Sequence, residues 1–153
     1  MTFLLIVAAI LLVDQVTKGL VAQRFLLFED LEIIPGFFNL THIRNTGGAF
    51  GVLAGEASRL RTGLFLAVSC VALGIVFYLY TRTPPGKRWL DAALAMIFGG
   101  ALGNLIDRLR FGEVVDFLDF YVGTLHWPAF NVADSAISIG VGIYCFYFLF
   151  AKR

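Results

Sequence analysis

Four long apolar runs decide what this chain can become. Residues 3–22, 62–80, 89–106 and 135–151 are each apolar enough to cross a bilayer as a helix, a task that takes ~20 such residues. The second run carries no charge from Thr62 to Tyr80. The third opens on Trp89 and Asp91, then stays apolar through Gly99, Gly100 and Gly103, and glycines permit close helix approach in lipid. The fourth ends in Tyr144, Phe146, Tyr147, Phe148 and Phe150 before Lys152-Arg153, which suits an interfacial anchor. Composition agrees: 59% of the 153 residues are hydrophobic, against ~45–50% in ordinary soluble domains. The expected class is a mainly α integral membrane protein, one domain over residues 1–153, with four transmembrane helices.

The first run could be taken for a cleavable leader. It has no basic start, and Asp14 and Lys18 fall where a cleavage site would lie, so it reads as a retained span. The segment 81–88 holds Arg82, Lys87 and Arg88 and no acid, and the C-terminus adds Lys152 and Arg153. The longer loops, 23–61 and 107–134, carry more acids than bases. Basic residues gather on the cytoplasmic side, so both termini and the Pro84-Pro85 loop are expected there, with the long loops extracytoplasmic. Those loops read as structured. Pro35-Gly36 is a turn signal among β-branched and aromatic residues, which suggests a hairpin. Val114–Phe117 and Phe120–Val122 are candidates for further strands of a small extracytoplasmic β-sheet.

The polar residues inside this framework narrow the chemistry. A net charge of +1 gives no reason to expect a nucleic-acid partner. Cys70 and Cys145 lie in apolar runs without CxxC spacing and read as small buried hydrophobes. His42 and His126 are isolated, so no metal site is expected. Asp14 and Lys18, spaced i, i+4, share a helix face and can pair; buried in lipid, they would face inward. They either orient the helix or hold groups that shape a pocket. Asn45-Thr46-Gly47-Gly48-Ala49-Phe50-Gly51 offers an amide followed by backbone that a ligand can approach closely. Gly100, Asn104 and Arg108 form a polar stripe on one face of the third span. Asn104 can donate to a peptide carbonyl and Arg108 can donate a fork of bonds. Asp107 is expected to point away and pair locally.

Asp116 and Asp134 lie at the same membrane surface, one beyond the third span and one at the head of the fourth. Each alone could be a solvated loop acid, and Asp134 could cap a helix. Set beside Asn45, Asn104 and Arg108, they read as a pair that shares a proton, one acid and one base. Asp119 competes with Asp116, but odd spacing along a strand puts the two on opposite faces. The residues alone favour a membrane aspartic hydrolase. A proton- or ion-coupled carrier would be expected to show paired repeats and midplane breaks, and neither is evident in the sequence. A non-catalytic binding protein with the same pocket is the third option.

Five ordered blocks sharpen this reading. Asp14-x-x-x-Lys18, Asn45-x-Gly47-x-Ala49-Phe50-Gly51, Gly99-Gly100-Ala101-x-Gly103-Asn104-x-x-Asp107-Arg108, Val115-Asp116-Phe117 and Asn131-x-Ala133-Asp134 resemble the motif blocks of the lipoprotein signal peptidases, the signal peptidase II family. The resemblance covers essentially the whole chain. It implies an aspartic endopeptidase of the bacterial cytoplasmic (inner) membrane, working at the extracytoplasmic face. Such enzymes cleave the signal peptide of a prolipoprotein just before its diacylglyceryl-modified cysteine. On this likeness Asp116 and Asp134 would be catalytic, with Asp14, Lys18, Asn45, Gly100, Asn104, Arg108 and Asn131 lining or supporting the substrate site. It further implies no metal or organic cofactor, lipid-modified prolipoproteins and membrane lipids as partners, and inhibition by globomycin-type peptides. A monomer is expected.

Overall fold

The structure is a computed structural model and describes residues 2–47 and 59–151. Gly48, Ala49, Phe50 and Gly51 of the second block, and Lys152-Arg153, lie outside the described residues. Four helices are long and apolar enough to cross a membrane: α1 (Thr2–Arg24), α2 (Arg59–Arg82), α3 (Arg88–Phe111) and α4 (Val132–Phe146). A π-helical stretch, Tyr147–Ala151, prolongs α4, and the fourth candidate span, Val132–Phe150, includes most of it. The helices run a turn or so past the expected spans, because interfacial residues such as Arg24, Arg82 and Arg110 complete their last turns. Four strands follow the expected hairpin region: β1 (Asp30–Ile34), β2 (Phe38–Asn45), β3 (Val114–Val122) and β4 (Leu125–His126). They form one antiparallel sheet in the order β1-β2-β3-β4.

α3 is the central helix. Half of its buried residues are small, namely Ala93, Ala95, Gly99, Gly100 and Gly103, so its neighbours come close. A Cβ at Gly100 would collide with the Ala133 carbonyl of α4, and one at Gly103 would stand 2.6 Å from an Asp14 carboxylate oxygen of α1. Small residues serve association in lipid because apolar burial there gives little drive between helices. One apolar cluster joins Phe3 and Val7 of α1, Val76 of α2 and Leu94 and Ala95 of α3. A second joins Val21 at the other end of α1 to Val115 and Phe117 of β3.

The chain leaves α3 through Gly112, whose φ of +78° suits a residue without Cβ and whose N–H closes on the Arg108 carbonyl. β3 then runs unbroken through the two segments that the sequence suggested separately. What carries it across Leu118-Asp119 is a buried polar pair, with Asn39 Nδ2 of β2 donating to Asp119 Oδ2 at 3.0 Å. Pairing of β2 with β3 shifts register between Leu40 and Ile43, a bulge that re-aims the strand beyond it. The segment before α4 is tied to the same strand. Phe130 pairs with Leu118, its N–H donating to the Leu118 carbonyl at 3.1 Å and its carbonyl accepting from Leu118 at 2.8 Å.

Cys70 and Cys145 are exposed rather than buried. The expectation failed because a membrane helix presents apolar side chains outward, so an apolar neighbourhood does not mark the core.

Candidate active site

Asp116 reaches the site by strand alternation. Val115 and Phe117 turn toward α1 and pack on Val21, which sends Asp116 to the opposite face. Asn45 stands opposite Val114 in the β2–β3 register. It is therefore a diagonal neighbour of Asp116, and its Nδ2 donates to Asp116 Oδ2 at 2.9 Å. Asp119 faces away, held by Asn39 and by His126 at 2.9 Å.

Asp134 arrives on the first turn of α4. The sequence allowed it as the N-cap, but the cap is Asn131 and Asp134 is the third helical residue. The two form a capping box: Asp134 N–H donates to Asn131 Oδ1 at 2.9 Å, and Asn131 N–H donates to Asp134 Oδ2 at 3.3 Å. Asn131 is fully buried. Its Nδ2 donates to Asp116 Oδ1 at 2.7 Å, so one residue bridges both carboxylates, Asp116 through its side chain and Asp134 through its backbone N–H. Asn104 of α3 completes the set, with Nδ2 donating to Asp134 Oδ1 at 2.8 Å.

Behind Asn104 lies an ion cluster. Lys18 Nζ contacts Asp14 Oδ2 at 2.9 Å and Asp107 Oδ2 at 3.0 Å, and donates to Asn104 Oδ1 at 2.8 Å. Asp14 Oδ1 accepts from the Ala133 N–H of α4 at 2.9 Å. Asp14 and Lys18 thus stand behind the wall rather than in it, and Gly100 serves the α3–α4 approach. Asp107 does not point away as expected. It is buried, pairs with Lys18, and accepts from Gln15 Nε2 at 3.0 Å and from Val115 N–H at 3.3 Å. A hydration-minded reading of the sequence sends the extra acid outward; here the cation of α1 draws it in. Gln15, which the sequence reading passed over, was visible only as a polar residue beside Asp14 inside an apolar run.

Asp116, Asp134, Asn45, Asn104 and Arg108 line one half-open cavity of about 490 Å³, with Trp127, Pro128, Ile137 and Ile139 among its apolar walls. Burial, and then the neighbouring Asp134 carboxylate, push the Asp116 carboxyl up to about 7, while Asn45, Asn131 and Lys18 pull the other way. Arg108 lies over the Phe65 ring of α2 at 4.5 Å and donates through Nη2 to the Gly47 carbonyl. Its Nη1 is buried and has no hydrogen-bond partner among the described residues. Such a donor is uncommon in folded proteins, and here it belongs to a cavity-lining side chain.

Fold and cavity together define a multi-pass membrane protein with a built, acid-containing site at one end of its helix bundle. The family model for signal peptidase (SPase) II matches residues 6–150, and this chain belongs to that family. Among similar proteins is the lipoprotein signal peptidase of Desulforapulum autotrophicum, 53% identical, the match covering 97% of this chain and 91% of that one. The lipoprotein signal peptidase of Syntrophus aciditrophicus is 50% identical over 91% of this chain and 86% of its own. A solved structure described as a bacterial membrane enzyme at 2.3 Å resolution superposes with a TM-score of 0.87 at 36% identity, covering 97% of this chain and 87% of that one. The chain is accordingly a peptidase of a bacterial membrane.

Proposed function

We propose that this chain is an aspartic endopeptidase that removes the signal peptide of prolipoproteins on the amino-terminal side of the diacylglyceryl-modified cysteine. The observation that carries the reading is the pair of carboxyls, buried Asp116 and half-buried Asp134, bridged by Asn131 in one cavity. One carboxyl, ionised, takes a proton from a water held between the two, and that water attacks the scissile carbonyl. The other, protonated, gives its proton to the developing oxyanion, and the first carboxyl then passes the proton it took from water to the leaving amine. The proton is a property of the pair, since two close carboxyls titrate in coupled steps.

The other residues bind and position. Arg108 Nη1, without a hydrogen-bond partner among the described residues, offers a donor to a carbonyl of the substrate backbone. Asn45 and Asn104 orient the two carboxylates with their amide N–H groups. The apolar wall of Ile137 and Ile139 on α4 suits the lipid-bearing side of the cleavage site, and the bilayer concentrates such a substrate. The reading includes an active site at the outer face of the inner membrane, cytoplasmic termini, a monomer and sensitivity to globomycin-type peptides.

Two measurements test it. Purified protein in detergent is expected to release a signal peptide from a diacylglyceryl-modified precursor and to leave the unmodified precursor intact; cleavage of neither would sink the assignment. Orientation is read from cysteines placed at Thr83 and Thr124 after Cys70 and Cys145 are replaced by alanine. In intact cells the Thr124 site, on an exposed turn, should react with a membrane-impermeant thiol reagent and the Thr83 site should not. The reverse pattern would put the carboxyl pair on the wrong side for this substrate.

A further inference from the structure

Asp107 has no place in the chemistry described so far, yet it touches both halves of the site's support. Its Oδ2 does two things at once: it takes the Lys18 ammonium at 3.0 Å and accepts the Val115 N–H at 3.3 Å. Its Oδ1 accepts from Gln15 Nε2 at 3.0 Å. Val115 immediately precedes Asp116, so the second contact ties down the backbone that aims that carboxyl. The first contact acts at longer range. An ammonium only donates, so Lys18 forces the oxygen of the Asn104 amide toward itself and the NH₂ toward Asp134. With Asp14 and Asp107 as its other two partners, all three Lys18 protons are committed and the ammonium cannot turn away.

We propose that Asp107 is a positioning residue for the reaction. Through one oxygen it sets both the backbone at Asp116 and, by way of Lys18, the amide of Asn104 that holds Asp134. This rests on the aspartic-peptidase reading above. A second consequence concerns charge. The cluster behind the site comprises two acids and one base, Asp14, Asp107 and Lys18. Around it stand Arg108 and Arg110 of α3, Asp116 of β3 and Asp134 of α4. Removing the Asp107 charge leaves Lys18 less compensated, and a more positive surrounding favours ionised carboxylates.

The test compares Asp107→Asn, Asp107→Glu and wild type on a lipidated precursor. Asp107→Asn should lower kcat about tenfold or more with KM within about threefold, and should move the alkaline limb of the pH–rate profile to lower pH. Asp107→Glu keeps the charge and should leave that limb in place. Wild-type kcat, or a reduced kcat with an unmoved limb in Asp107→Asn, would overturn the proposal. Should Asp107→Asn fail to fold, Gln15→Met decides. It removes the amide that donates to Asp107 at 3.0 Å, to Asp14 at 3.2 Å and to the Gly103 carbonyl at 3.4 Å while sparing both charges, and kcat should fall about threefold at constant KM; undiminished kcat would overturn the proposal. Failure of wild type to cleave at all would instead remove the peptidase reading, so the two failures are distinguishable.

Discussion

α2 and α3 have the same length, 24 residues, and both qualify as membrane spans, but they do different work. Along α2, Leu60, Leu64, Val68, Val71, Ile75, Phe77 and Tyr78 all face outward. α3 interrupts its apolar run with Gly99, Gly100, Gly103, Asn104, Asp107 and Arg108, and buries most of them. Apolarity places a helix in a bilayer. The residues that dilute it build the site, because small ones let neighbours approach and polar ones must find partners across helices. α2 meets the site at Phe65, beneath the Arg108 guanidinium.

The largest test of this contrast removes a carboxylate that the α3 side supports. Asp134→Asn, like Asp116→Asn, should reduce turnover roughly a thousandfold or more, with folded protein still recovered from the membrane. Retention of near wild-type cleavage by either variant would break the assignment of the pair. Next in size is a matched pair of glycine substitutions. Gly103→Leu drives a side chain into the Asp14 carboxylate, whereas the Cβ of Gly74→Leu on α2 meets nothing within 4 Å. The first should cost about 3 kcal/mol or more of stability by overpacking, and the second should change thermal unfolding in detergent by less than ~0.5 kcal/mol. Equal effects would erase the distinction between the helices.

A subtler prediction concerns pH. Asn45 donates to the Asp116 carboxylate and so favours its ionised form. The reaction needs one proton on the pair, and activity should fall as pH rises through the raised Asp116 value of about 7. Asn45→Ala withdraws support from the ionised form, raises that value further, and should carry the alkaline limb to higher pH; a shift to lower pH would contradict the sign. The smallest effect is expected from Asp119→Asn, which disturbs contacts to Asn39 and His126 on the far face of β3. Cleavage should drop no more than about threefold, and a loss matching Asp116→Asn would mean the strand register is misassigned.

The features that the sequence made legible are those with a steep physical cost. Four apolar runs have no other stable use, and the i, i+4 spacing of Asp14 and Lys18 makes them an ion pair on one helix face. Asn45, Asn104, Arg108, Asp116 and Asp134 stood out because polar groups beside a bilayer demand a reason, and the structure brings them to one cavity. Directions that depend on a neighbouring element were not legible. Asp107 turns inward only because α1 presents Lys18 there. Asn131 displaces Asp134 from the cap because Phe130 docks on Leu118 and fixes where α4 starts. Cys70 and Cys145 face outward because hydropathy does not separate core from lipid.

Asn131 has one further consequence. Its side chain starts α4 through the Asp134 N–H and holds the Asp116 carboxylate, while its backbone N–H holds the Asp134 carboxylate, so the architecture and the proposed chemistry draw on one residue. A bacterium under pressure from a compound lodged between these carboxylates has little freedom to substitute here, since escape would unravel the start of a helix. Freedom to vary lies instead in the greasy wall of Trp127, Pro128, Ile137 and Ile139. Compounds that grip the polar floor and lean little on that wall should be the slowest to lose their hold on evolving populations.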